Sequence, residues 1–268
     1  SPKISGDGRY IAYSSSATNL VPGDTNGQVD AFLFDRVAGT TIKMSQALVP
    51  TLVSSISDDG RYVVLSSLWV EAGQNDIRLW DRVTGTTTPI VAPGNNGGYA
   101  VISGDGRYVL TSDETTFIWW DRTTGITTHF DFPGAQPDFV LTDDGSFAAV
   151  TIQHVLPGGG TGGHDVVGFV PGSATPTGVA LTTDGHSDFP SISDDGRYVV
   201  FISTGINPVP GGGVTYPDVY VRDRTDATTV RLTAGHGASG DAQISGDGQH
   251  VTFDSYASDL LPGDLNGA

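Results

Sequence analysis

Ile56-Ser57-Asp58-Asp59-Gly60-Arg61-Tyr62-Val63 is the stretch on which the fold turns. An Asp-Gly pair set between apolar runs supplies the positive-φ positions that a tight hairpin turn demands. The same phrase stands at Ile4-Ser5-Gly6-Asp7-Gly8-Arg9-Tyr10-Ile11, at Ile102 to Val109, at Ile192 to Val199 and at Ile244 to Val251. A weaker copy reads Leu141-Thr142-Asp143-Asp144-Gly145-Ser146-Phe147-Ala148. The Asp-Gly aspartates are therefore Asp7, Asp59, Asp105, Asp144, Asp195 and Asp247, at successive spacings of 52, 46, 39, 51 and 52 residues. Such a period holds four short strands and their loops, and a period of this size marks a repeat architecture.

Working outward from the turn, the runs on either side (Ala100-Val101-Ile102, Tyr62-Val63-Val64-Leu65) read as the first and second strands. A third strand follows: Asp30 to Asp35, Asp76 to Asp81, Thr116 to Asp121 and Asp218 to Asp223, each leading into an Asp-Arg turn. The fourth is Thr-rich, as in Thr40-Thr41-Ile42-Lys43-Met44 and Thr228-Thr229-Val230-Arg231-Leu232. Apolar residues occupy both alternating faces of the third strands, with Ile77 and Leu79 on one side and Ile118 and Trp120 on the other. A sheet that is apolar on both faces must be covered on both, as blades packed side by side are. Trp80, Trp119 and Trp120 are read as core. The expectation is an all-β chain, a β-propeller of about six four-stranded blades. The sixth is incomplete, and a seventh in the intact protein stays open. As a single domain over 1–268, the blades fall at about 1–50, 51–97, 98–136, 137–188, 189–241 and 242–268.

The order Ser-x-Asp-Gly-Arg-Tyr, strand, Asp-Val-Tyr-Val-x-Asp-Arg, then Thr-Thr-x-x-Leu-Thr resembles the bacterial TolB-like, or WD-like, propeller repeat over essentially the whole chain. The resemblance implies an innermost strand before each Asp-Gly turn, a central channel, and no single activity. Such propellers dock proteins, bind glycans, or are attached to peptidases and lyases. Two features depart from the pattern. Blade four reads Phe169-Val170-Pro171 where an Asp-Arg turn is expected, and carries Pro157-Gly158-Gly159-Gly160-Thr161-Gly162-Gly163, read as a flexible excursion between strands. The sixth copy stops at Ala268, so a strand-completing segment or partner strand is expected there.

Composition narrows the partners. The formal net charge is −17, with 30 acidic and 13 basic residues and only two lysines, Lys3 and Lys43. No basic stripe is present to release counterions from a phosphate backbone, which argues against nucleic acid. No apolar run reaches the ~18 residues of a membrane span. There is no cysteine, hence no disulfide and no thiolate metal site. The first residues carry no signal-peptide pattern, so a targeting segment is expected outside this sequence. The acidic, lysine-poor, Thr- and Gly-rich character leans toward an extracellular or envelope (periplasmic) bacterial protein.

Candidate chemistry is sparse. Asp24-Thr25-Asn26-Gly27-Gln28-Val29-Asp30 places oxygen ligands at alternate positions with Gly at the bend, the opening of a calcium loop. Asp264-Leu265-Asn266-Gly267 repeats it. The candidate ligands are thus Asp24, Asn26, Asp30, Asp264 and Asn266, and the plain alternative is an Asn-Gly turn. The Asp-Arg pairs are read as structural. His154, His164 and His186 gather around blade four, where a metal-assisted site is weighed against ordinary loop histidines. Trp69 is the candidate ligand-binding aromatic, able to stack on a sugar or anchor a partner, against packing over a blade edge. No Gly-x-Ser-x-Gly elbow and no phosphate loop is present. No catalytic residue is assigned and no cofactor is required. The leading reading is a non-catalytic binding or scaffold propeller with a protein or ligand partner. The alternatives are a carbohydrate-binding module and the propeller portion of a larger enzyme whose catalytic residues lie outside this chain.

Overall fold

A computed structural model describes residues 2–45, 49–69, 74–91, 98–112, 116–131, 135–155, 161–171, 178–183, 186–205 and 216–261. Every regular element among them is a strand. The chain divides into two compact units, Ser1–Asp131 and Phe132–Ala268.

The first unit holds three four-stranded antiparallel meanders. Blade one is β1 (Lys3–Ile4), β2 (Tyr10–Ser15), β3 (Asp30–Asp35) and β4 (Thr40–Lys43). Blade two is β5 (Thr51–Ile56), β6 (Tyr62–Trp69), β7 (Gln74–Asp81) and β8 (Thr86–Val91). Blade three is β9 (Ala100–Ile102), β10 (Tyr108–Ser112), β11 (Thr116–Asp121) and β12 (Thr127–Asp131). The second unit holds two more, β13 (Ala135–Leu141) to β14 (Ala148–Val155), β15 (Thr161–Phe169) and β16 (Val179–Ala180), then β17 (Ser187–Ile192) to β18 (Tyr198–Ser203), β19 (Asp218–Asp223) and β20 (Thr228–Arg231). Blade six shows β21 (Ser239–Ile244) paired with β22 (Val251–Ser255).

The two-faced apolar pattern does what the sequence requires of it. On β6, Val63 and Leu65 join Ala12, Leu33 and Met44 of blade one, together with Trp80. Val64 on the same strand points the other way, to Val109, Ile118 and Trp120 of blade three. In the second unit, Val199 and Phe201 of β18 meet Phe147, Ala149 and Val166, while Val200 faces Ala242. Period-two alternation thus sends each strand into two cores. Each fully buried Val, Leu or Phe contributes about 1.5–3 kcal/mol. Trp80 and Trp120 are buried as expected, whereas Trp119 is half-buried and stacks on Tyr108 at 4.5 Å.

The Asp-Gly turn is built differently from its sequence reading. Only the glycines take positive φ, Gly60 at 62° for instance, and none of the six turn aspartates does. Asp59 instead accepts from the Ser57 hydroxyl (2.7 Å) and the Arg61 amide (2.9 Å), while Ser57 Oγ accepts from the Tyr62 amide (3.0 Å). The aspartate is a side-chain brace, and the glycine alone supplies the left-handed step.

The Asp-Arg pairs are structural, through two separate interactions. Arg61 forks onto Asp81 (3.1 and 3.0 Å), as Arg9 does onto Asp35, Arg107 onto Asp121 and Arg197 onto Asp223. In three of the pairs the arginine also reaches across to the preceding blade. Arg82 donates to the Gly60 carbonyl (3.0 Å) and lies over the Tyr10 ring at 4.3 Å. Arg122 repeats this with Gly106 and Tyr62, and Arg224 with Gly196 and Phe147. Blade four keeps the aromatic socket, Phe147, but has Ser146 where the other turns have Arg or Gln.

The first strands of blades two, four, five and six each carry a bulge, between Val53 and Ser55, Ala135 and Phe139, Asp188 and Ser191, and Gly240 and Gln243. The glycine-rich stretch contributes to a strand. Thr161 pairs with Val155 and His164 with Gln153, so residues 161–163 belong to β15. Residues 157–160 lie outside the described residues.

Candidate binding cleft

In the second unit the β17 bulge and the early part of β15 bring together side chains from three strands. His164 and His186 meet in an isolated parallel bridge. His164 Nδ1 lies 2.7 Å from Asp188 Oδ1. Asp138 on β13 is half-buried; burial raises its carboxyl above the ordinary value, the Asp188 charge adds to this, and His164 works in the opposite sense. Among the described residues Asp138 has no hydrogen-bond or ion-pair partner. Beside them Phe189 is held at φ 55° with 56% of its surface exposed. A bulky residue there is a backbone outlier, and Pro190 follows it immediately. The cleft measures about 210 Å³ and is lined by His164, His186, Asp188, Phe189, Ile202 and Pro217 among others. It offers the Asp188 carboxylate, an aromatic face and an oriented imidazole, with the Asp138 charge in electrostatic reach of Asp188, a set that attracts positive charge.

His154 stands apart from this group. It pairs through Nδ1 with Asp165, whose other oxygen accepts from Thr182 at 3.3 Å. Among the described residues no three His, Asp or Glu side chains are placed to hold a metal ion. The three histidines that the sequence clusters are thus split between a His–Asp pair in the blade and the cleft.

The calcium-loop residues Asp24 and Asp30 converge, but on Lys43. Its Nζ lies 2.9 Å from Asp24 Oδ1 and 2.6 Å from Asp30 Oδ2. Ser45 donates to the remaining Asp30 oxygen (2.6 Å), and Asn26 Nδ2 approaches it at 3.3 Å. Burial opposes the Asp30 charge, yet these hydrogen bonds outweigh it and hold the carboxyl below its ordinary value. Asn26 turns its own oxygen to the Gln28 amide (3.0 Å), an Asx turn. An internal ammonium thus stands between the two carboxylates. Asp264 and Asn266, and the side chain of Trp69, lie outside the described residues.

The sequence reading missed Asp138, Asp188 and Phe189. The one local signal was Phe189-Pro190, in a first strand whose counterpart in blade six reads Asp241-Ala242 at the same bulge.

No protein-family model matches this sequence, and neither does any curated protein. Solved structures do. The chain is similar to the β-propeller domain of the Trilobed protease from Pyrococcus furiosus, with TM-score 0.67 and 15% identity over 98% of this chain and 81% of that one. It is similar to TolB from Acinetobacter baumannii, with TM-score 0.55 and 19% identity over 89% of this chain. There it spans only 55% of the TolB chain. It is also similar to Kuenenia stuttgartiensis hydrazine synthase, with TM-score 0.62 and 14% identity over 94% of this chain and 72% of that one. The fold is a TolB-like β-propeller.

Proposed function

We infer that this propeller is a non-catalytic recognition module of a secreted or envelope-associated bacterial protein, and that the His164–Asp188 cleft, under the added charge of Asp138, receives a cationic group from a protein partner. The observation that carries this reading is Phe189, an exposed aromatic held in a costly conformation beside Asp188, whose charge acts on the half-buried Asp138. Strained residues of this kind persist where the surroundings enforce them, and they cluster at binding sites. An ammonium or guanidinium would lie against the Phe189 ring and offset the repulsion between Asp138 and Asp188.

The test is fluorescence anisotropy of the full chain with short lysine- or arginine-containing peptides, alongside lysine-acetylated copies. Binding that weakens about tenfold on acetylation, in Phe189→Asn and in Asp138→Asn supports the reading. Equal binding of charged and acetylated peptides, or no binding, refutes it.

A glycan array tests the carbohydrate alternative, which rests on Trp69. β22 adds a further point of contact. Among the described residues it pairs only with β21, and Phe253 and Tyr256 nearby are 41% and 72% exposed. A strand from the intact protein or a partner would complete this sheet.

A further inference from the structure

The complete blades state what belongs beside β22. In blade five, Phe201 on the second strand is opposite Tyr220 on the third, and the rings stack at 5.7 Å. In blade one, Tyr13 is opposite Phe32, and those rings also stack at 5.7 Å. Phe253 holds the corresponding place in blade six, because Val251 pairs with Ile244 as Val199 pairs with Ile192 and Ile11 with Ile4. Phe201 is fully buried, whereas Phe253 is exposed and has no ring partner among the described residues.

Two residues on, Ser255 repeats Ser203, since it pairs with Ser239 as Ser203 pairs with Ser187. Ser203 stands opposite Asp218, and Ser15 and Ser67 stand opposite Asp30 and Asp76 in the same way. All three acids are buried. In blades one and five the fourth strand supplies a cation and, two residues on, a hydroxyl. Lys43 and Ser45 hold Asp30, while Arg231 (2.5 Å) and Thr233 (2.8 Å) hold Asp218. Neither β21 nor β22 carries a lysine or arginine. An acid set against Ser255 must therefore bring its own cation, which selects a hairpin over a lone strand.

We propose that β22 receives a β-hairpin from a partner chain, with Asp-x-aromatic-x-x-Asp on its first strand and cation-x-hydroxyl on its second. This rests on the reading of the propeller as a protein-recognition module, and it names the partner segment for a surface apart from the His164 cleft. The hairpin runs antiparallel to β22, its first acid against Ser255 and its aromatic ring on Phe253. Its last aspartate meets His250, which holds the place that Tyr198 has opposite Asp223. Backbone pairing gives the affinity, and the ring and the acid fix the register. Gln249 stands where Arg197 forks onto Asp223, so that end of the hairpin lacks its arginine.

Residues 218–233 carry the pattern. A fluorescently labelled peptide copying them, added to the full chain, tests the proposal by anisotropy. Binding is expected, about tenfold weaker for the peptide with Tyr220→Ala and for the chain with Phe253→Ala. The peptide variant leaves the chain untouched, so it reports even if Phe253→Ala unfolds. Gln249→Arg in the chain is expected to tighten binding about threefold by restoring the fork, with no gain for the Asp223→Asn peptide. Absence of binding overturns the β22 contact itself and leaves the His164 cleft to be judged by its own peptides. Equal binding of a scrambled copy, or of the Tyr220→Ala peptide, keeps strand addition and overturns the stated chemistry. Dimerisation of the chain that Phe253→Ala abolishes, seen by sedimentation with no peptide bound, assigns the edge to a second copy and overturns the proposal as well.

Discussion

A Cβ built on Gly60 would come within 2.1 Å of Tyr10 Cδ2, so the turn of blade two is seated directly on the aromatic ring of blade one. Gly106 stands the same way to Tyr62, at 2.5 Å, and Gly248 to Tyr198, at 2.7 Å. These glycines are constrained twice, by a positive φ and by contact with a neighbouring blade.

Gly39 separates the two effects, since its φ is +66° and nothing lies within 4 Å of its Cβ position. Gly39→Ala is expected to lose about 1–2 kcal/mol, the left-handed penalty alone. Gly60→Ala adds the clash and is expected to lose about 2–5 kcal/mol. Ala227 sits at φ 54°, in the turn position that Gly39 holds in blade one, and Ala227→Gly is expected to gain stability. Urea midpoints measure all three, and equal losses at Gly39 and Gly60 would contradict the seating.

Acid should act through the forked pairs. The Arg197 hydrogen bonds bring Asp223 down from 3.8 to about 2, and Arg9, Arg61 and Arg107 lower Asp35, Asp81 and Asp121 in the same way. A carboxyl depressed in the folded state stabilises it fully above its unfolded value. That contribution is lost as pH falls from about 4 through the folded value. In Arg197→Gln the Asp223 value returns toward 3.8, and acid unfolding starts at higher pH. An NMR titration of Asp223 that does not move between wild type and variant would count against the pairing.

Lys43→Met leaves Asp24 and Asp30 buried without their cation, and is expected to cost about 3–5 kcal/mol. Calcium should then raise the melting temperature of the variant more than that of the wild type, because the oxygens remain and the ammonium is gone. Melting curves with calcium and with chelator are the measurement. A wild-type rise as large as that of the variant would show that calcium binds despite Lys43.

Phe189→Asn should stabilise the fold by about 0.5–1 kcal/mol, since Asn tolerates the left-handed region at less cost than Phe. The same variant should bind cationic peptides more weakly. A loss of stability would mean that the ring packs for structure and not for a partner.

The architecture was legible because its signals are local. Ser57, Asp59, Gly60 and Tyr62 lie within six residues and brace one another, so the turn can be read from one line of sequence. The sites were not legible, because their parts come from different strands. Asp24 and Asp30 read as cation ligands, and the cation they hold lies on β4, brought in by the Phe32–Lys43 register. Asp138, His164 and Asp188 belong to β13, β15 and β17 and are 26 and 24 residues apart in turn. Phe189 carries an ordinary strand residue name, and only the bulge turns it outward.

The Tyr10–Gly60 joint has a direction. Within the two units, blades one, two and five present a tyrosine ring to the blade that follows, and blades two, three and six a glycine to the one before, so the two halves of the joint differ in kind. Tyr62 with Gly106 and Tyr198 with Gly248 repeat the fitting with little change. Blades with matching plugs and sockets are interchangeable parts. A gene rearranged between two of these Asp-Gly turns would delete or duplicate one whole blade and still set a tyrosine against a glycine at the new joint. Blade number in such a lineage can therefore change by recombination in single steps, while the orientation of the chain through the blades stays fixed.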